Sequence, residues 1–230
     1  MQQFFDFPLN PTFSFDSFVP CDGNAAPLRF AMRIADPSDP EKLLYLHGPS
    51  GSGKTHLLKA IASDTVPYMS FRSPPEPDDL VTIFRSATGL VIDDLHDAPD
   101  DPALKAALWQ LFNEFHTSGR LIAMAGLSPP RELMNLDEHL TSRLLWGLVA
   151  RIDTSDDSSR RMILLKVAED RQIRVPDDVI DCILSTTSRE VGDLIACFNQ
   201  LYRFSMAKNR RITLPLMREM RELLLTGRLL

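Results

Sequence analysis

Eight residues, Gly48-Pro49-Ser50-Gly51-Ser52-Gly53-Lys54-Thr55, fit the pattern G-x-x-x-x-G-K-[ST]. An apolar run precedes them and a helical stretch follows, which is the strand-to-helix setting that the pattern needs. Each residue type has a task in holding a polyphosphate. Gly48, Gly51 and Gly53 let the backbone turn so that its N–H groups surround a β-phosphate, and the helix N-terminus adds positive potential. Lys54 is placed to reach the β and γ oxygens, and the Thr55 hydroxyl to ligate Mg²⁺. Further on, Leu90-Val91-Ile92-Asp93-Asp94 sets two carboxylates at the C-terminal end of a buried strand, beside that loop in a doubly wound sheet. In that arrangement Asp93 holds magnesium through water and Asp94 polarises the attacking water.

The elements that must position these groups follow from hydrophobic pattern. Leu43 to Leu46, Tyr68 to Phe71, Leu90 to Ile92, Leu121 to Ala125 and Leu148 to Ile152 read as five buried strands. Lys54 to Ser63 and Pro102 to Ser118 read as helices, the second with Leu104, Leu108, Leu111, Phe112 and Phe115 at helical spacing and Pro102 in its first turn. Short apolar strands separated by helices imply a mostly parallel sheet covered on both faces. After Asp153 the strand signal stops, and helices are expected at about Asp156 to Asp170, Pro176 to Thr186, Ser188 to Lys208 and Leu214 to Leu225. The expected units are an N-terminal arm (1–12), an α/β nucleotide-binding core (13–153) and a helical lid (154–230).

Composition narrows the class. The 230 residues are 44% hydrophobic and 24% charged, the balance of an ordinary globular protein. No basic leader or long apolar span is visible, so the expectation is a cytoplasmic location and no membrane partner. A formal net charge of −6 leaves DNA contact indirect or weak, through partners or a local patch such as Lys208-Asn209-Arg210-Arg211, which otherwise reads as a solvated helix end. Cys21, Cys182 and Cys197 lack paired spacing and are read as reduced. The five histidines, His96 among them, show no metal-ligand spacing, and Trp109 and Trp146 read as core packing.

Three longer stretches carry a resemblance. Lys54-Thr55-His56-Leu57-Leu58, Ile92-Asp93-Asp94-Leu95-His96 and Leu140-Thr141-Ser142-Arg143-Leu144-Leu145-Trp146-Gly147-Leu148 together resemble the DnaA-related AAA+ ATPases that control bacterial replication initiation. Phe15-Asp16-Ser17-Phe18-Val19 and Asn24 are similar to the segment by which that family flanks the adenine. Ser128-Pro129-Pro130-Arg131-Glu132-Leu133 is similar to the segment after its sensor-1 strand. The resemblance implies an AAA+ P-loop NTPase fold: a five-stranded parallel sheet core with a C-terminal all-helical lid. It also implies ATP or ADP with Mg²⁺ as cofactors, with Phe18, Val19 and His56 joining the phosphate loop in binding nucleotide. Arg143 then corresponds to the arginine finger, donated in trans to a neighbour's nucleotide, and Arg189, opening the third lid helix, to sensor 2. One departure concerns sensor 1. The expected polar residue is missing from Ala125-Gly126-Leu127-Ser128 or displaced to Ser128, which puts intrinsic hydrolysis in doubt.

Within the family the short arm, and the lack of a helix-turn-helix after the lid, resemble the Hda type, whose partners are DnaA and the DNA polymerase sliding clamp. Gln2, Phe5 and Phe7 would then form a clamp-binding peptide, with Gln2 as polar anchor and the rings entering an apolar pocket. The alternative is that these rings fold back onto the core. An autonomous DnaA-like or DnaC-like loader that turns over ATP is the other function compatible with these motifs, and a homo-oligomer stays open.

Overall fold

The computed structural model describes residues 13–226; the arm and its Gln2, Phe5 and Phe7 lie outside the described residues. In chain order the elements are α1 (Ala25–Ala35), β1 (Leu43–His47), α2 (Lys54–Ile61), β2 (Tyr68–Ser70), α3 (Pro77–Phe84) and β3 (Gly89–Asp93). Next come α4 (Pro102–Thr117), β4 (Leu121–Gly126), α5 (Glu138–Arg143), β5 (Leu148–Arg151), α6 (Asp157–Asp170), α7 (Asp177–Thr186), α8 (Val191–Ala207) and α9 (Leu214–Leu225). The five strands form one parallel sheet in the order β2-β3-β4-β1-β5. The expected five-stranded parallel core with its helical lid is the architecture observed.

Alternation along the strands divides the core in two. Leu43, Tyr45, Leu90, Ile92, Ile122 and Met124 point to one face and pack with Phe84 of α3, Phe112 and Phe115 of α4 and Leu140 of α5. Leu44, Leu46, Val91, Ala123 and Ala125 point to the other, where Ala31 and Ile34 of α1 and Leu57, Leu58 and Ile61 of α2 cover them. Burial on both faces explains why the strands read as unbroken apolar runs. The lid has its own core, in which Leu164, Ile180, Ile183, Leu194, Phe198, Leu201 and Met217 from all four helices are buried. Asp156 caps α6 by accepting a hydrogen bond from the Ser159 N–H at 2.8 Å, so the acidic serine-rich stretch does start the first lid helix.

Two helices, α1 and α3, have no counterpart in the sequence expectations. α1 carries Pro27 in its first turn, and α3 starts at Pro77 behind Pro74 and Pro75; these prolines suit helix starts but make the segments read as loop. The third lid helix starts at Val191, not Ser188. Residues 187 and 188 are engaged elsewhere: Arg160 donates to the Thr187 hydroxyl at 2.8 Å and to the Ser188 carbonyl at 2.7 Å. Trp146 is 61% exposed, which corrects its reading as core; Trp109, on α4, is partly buried and packs against the core face that α3, α4 and α5 cover.

Candidate functional site

The phosphate loop joins β1 to α2. Its glycines take the backbone where other residues are strained: φ is 69° at Gly51 and 106° at Gly53. A Cβ on Gly51 would lie 3.1 Å from the Gly192 nitrogen, so the loop passes directly against the N-terminal turn of α8. Gly53 is the N-cap of α2 and supplies no side-chain cap, which leaves the first N–H groups of that helix directed at the loop. Lys54 is buried, and its ammonium donates to the carbonyls of Gly48 at 2.8 Å and Pro49 at 2.7 Å. Burial lowers the Lys54 pKa, while the carboxylates of Asp93 and Asp94 oppose that shift.

β3 delivers the acidic pair to the same place. Thr55 Oγ1 donates to Asp93 Oδ2 at 2.5 Å, and the Tyr68 hydroxyl donates to the same oxygen at 3.0 Å. Burial, then the Asp93 charge, raises the Tyr68 pKa and keeps it a donor. Asp94 sits in the left-handed region with φ 56°, just past the strand. Its carboxylate accepts from Ser70 Oγ at 2.6 Å and pairs with Arg72 Nε at 3.3 Å. Oxygen donors from Thr55 and Asp93 at this spacing suit a hard divalent cation such as magnesium. Tyr68, Ser70 and Arg72 were not singled out from sequence; they reach the pair because β2 lies in register beside β3, with Ser70 opposite Asp93. The structure also brings His96 to the acidic motif, with one ligand atom each of Asp94, His96 and Asp97 within 4.8 Å of one another, a proximity that sequence spacing did not reveal.

A cleft of about 700 Å³ opens from the phosphate loop and runs between core and lid. Phe18 and Val19 line it from the segment before α1, Ile163 and Val167 from α6, and Ile195 from α8. Phe18 and Phe13 meet the His56 ring edge-on at 5.2 and 5.3 Å, and His56 Nε2 lies 3.0 Å from the Ser14 carbonyl and 3.2 Å from Ser17 Oγ. Burial lowers the His56 pKa, so the imidazole is neutral at pH 7. An apolar wall at one end and a polyphosphate cradle at the other are what a nucleotide requires. Leu127, 41% exposed, lines the cleft at the end of β4, where the resemblance expects a polar group. Beyond it, the Ser128 carbonyl accepts from the Tyr45 hydroxyl at 2.7 Å.

The two predicted arginines sit apart from this cleft. Arg189 precedes α8, and its guanidinium donates to the Ser155 carbonyl at 2.9 Å and to Asp157 at 3.2 Å, at the start of the lid; it is outside the lining of the cleft. Arg143 ends α5, also away from its own cleft, with its guanidinium over the rings of Trp109 at 4.3 Å and Trp146 at 5.1 Å.

The comparisons with known proteins agree with this geometry. The family model for the bacterial DnaA ATPase domain matches residues 9–72 and 75–151, and that for the Hda lid domain matches residues 157–220. The chromosomal replication initiator protein DnaA of Chloroflexus aurantiacus is 28% identical over 227 residues, covering 90% of this chain and 47% of that protein. The chain thus spans about half the length of the curated relatives it matches. Domain III of the Thermotoga maritima replication initiation protein DnaA has the same fold, with a TM-score of 0.79 at 23% identity over 93% of this chain and 97% of that one. AMPPCP-bound DnaA from Aquifex aeolicus is similar over 86% of this chain and 67% of that one, with a TM-score of 0.74 at 21% identity. The phosphate loop and acidic pair fall within the first match and most of the lid within the second, and the chain belongs to the bacterial DnaA ATPase-domain family, as a DnaA-related AAA+ protein with a lid of the Hda type.

Proposed function

We propose that this protein is a nucleotide-bound AAA+ regulator of replication initiation that binds ATP or ADP with magnesium and acts on DnaA-bound ATP from a docked position on the sliding clamp. The observation that carries the reading is the separation of two sites. Lys54, Thr55, Asp93 and Asp94 gather at one cleft, while Arg143 projects elsewhere on the core, outside the lining of that cleft. A guanidinium placed so is suited to a neighbour's γ-phosphate, where a fixed fork matches the charge spreading in the transition state.

In the cleft, the loop amides and Lys54 hold the phosphates, Thr55 and Asp93 hold magnesium, and Asp94 orients water. Magnesium, when bound, neutralises phosphate charge. Phe18, Val19 and His56 form the wall against the base. Leu127 offers no hydrogen bond to a third phosphate, which favours a conformational rather than a turnover role for the resident nucleotide. Nucleotide binding is supported by the AMPPCP-bound DnaA fold, and the DnaA partnership by the Hda-type lid. Gln2, Phe5 and Phe7 are assigned to the clamp.

The test is a pull-down and a coupled assay. Removing residues 2–8 should abolish clamp binding, and Arg143→Ala should abolish stimulation of ATP hydrolysis by DnaA. Clamp affinity unchanged by the deletion removes the adaptor role, and vigorous clamp-independent hydrolysis by the chain alone favours the loader.

A further inference from the structure

We infer that Trp109 and Trp146 are positioning residues that hold the Arg143 guanidinium by stacking, leaving its N–H edge free for a phosphate on an adjoining molecule; this rests on the reading of Arg143 given above. The chain has two tryptophans in all, and both flank this one arginine. Trp109 comes from the middle of α4, while Trp146 follows Arg143 in the turn after α5, where its N–H donates to the Arg143 carbonyl at 3.0 Å, so a remote ring and a local one meet on the same side chain.

Arg143 is engaged by ring faces and not by an acid. Among the described residues no carboxylate lies within ion-pair distance of it and no hydrogen bond engages its guanidinium. Some surface arginines are instead held by acids, as Arg33 is by Asp39, Arg161 by Asp177 and Asp181, and Arg210 by Glu219. An acid partner would occupy the in-plane donors that a phosphate needs, and would repel the phosphate itself. Aromatic faces do neither. They attract the cation through the ring quadrupole from above or below its plane and leave the fork of five donors in place.

The rings are themselves braced. Trp109 lies 5.9 Å from the His139 ring, and Trp146 lies 5.4 Å from His116, which stacks on the buried Phe112 at 5.7 Å. The line Phe112, His116, Trp146, Arg143 therefore runs from core to surface. With Trp146 61% exposed, most of the outermost ring faces solvent, and an approaching polyphosphate-bearing surface would cover it. Ordering the long arginine side chain before contact lowers the entropy lost on reaching the transition state.

The experiment measures stimulation of ATP hydrolysis by an ATP-loaded DnaA partner, at saturating and half-saturating chain, for Arg143→Ala, Trp146→Ala, Trp146→Leu and Trp146→Phe. Trp146→Ala and Trp146→Leu should each lower the maximal stimulated rate roughly three- to tenfold, with half-saturation nearly unmoved, because Leu keeps bulk without a π face. Trp146→Phe should recover most of the rate. In a Trp146→Phe background the emission of Trp109 should shift when Arg143→Ala is added, reporting the stack directly. A full rate in Trp146→Leu, with Arg143→Ala inactive, overturns the stack and leaves the finger standing. Full stimulation by Arg143→Ala overturns both.

Discussion

The Thr55 hydroxyl donates to the carboxylate of Asp93 at 2.5 Å, joining two motifs that lie 38 residues apart in the chain. The bond aligns the two oxygens that would share a divalent cation, one from the phosphate loop and one from β3. Tyr68 secures the same carboxylate from the neighbouring strand.

Asp93→Asn should therefore weaken ATP binding about tenfold in magnesium, or ~1.4 kcal/mol, and change metal-free binding little. Calorimetric titrations with magnesium and with chelator check this. Equal losses in the two conditions would show that Asp93 supports the loop and not the metal.

Lys54 carries a buried charge beside two carboxylates and two loop carbonyls. Lys54→Ala removes the charge-assisted contacts to phosphate, worth about 1.5–3 kcal/mol, so affinity for either nucleotide should fall about tenfold to a hundredfold. Fluorescent nucleotide titration would read the loss.

Leu127 stands at the end of β4, which lies between β1 and β3 and so between the loop and the acidic pair. With no donor there, ATP and ADP should bind with affinities within about a factor of ten of each other. Leu127→Asn should shift the ratio toward ATP and raise basal hydrolysis, measured by phosphate release; an unchanged ratio would exclude a γ-phosphate contact at this position.

Arg160 is 1% exposed and holds the lid together, donating to the Leu184 carbonyl at 3.1 Å as well as to Thr187 and Ser188, and pairing with Asp157. Arg160→Ala removes a fully buried side chain together with these hydrogen bonds and should destabilise the lid by about 2 kcal/mol. Thermal unfolding followed by circular dichroism should show the loss, while Arg161→Ala, whose acid partners are exposed, should cost under ~1 kcal/mol.

The Ser159 hydroxyl and amide hold the Asp156 carboxyl down at about 2. Because the folded value is depressed below the usual 3.8, its stabilising effect is complete above about pH 4 and is lost as pH falls toward 2. Asp156→Ala should cost about 1 kcal/mol at pH 7, the ordinary value of an N-cap, and the difference from the parent protein should vanish near pH 2. A constant difference across that range would deny the cap its role.

What the sequence disclosed, and what it withheld, follows the range of the interactions. The phosphate loop and the five strands are local patterns, and burial on both faces made each strand a continuous apolar run. The groups around Asp94 were hidden because Ser70 and Arg72 reach it across a strand pairing that no local pattern encodes. Arg189 was read as opening a helix that starts two residues later, because Arg160 draws Thr187 and Ser188 away from helical geometry. Trp146 was read as core packing, whereas its ring contacts are a charged side chain and a histidine.

The cleft walls belong to stretches remote in sequence: the strip around Phe18, the loop after β1, and the lid helices α6 and α8. A molecule seated there would act as a rivet between core and lid. Occupancy then sets mechanical coherence, and at a hundredfold excess over Kd it adds about 2.7 kcal/mol against unfolding. An empty cleft would leave core and lid without that added tie.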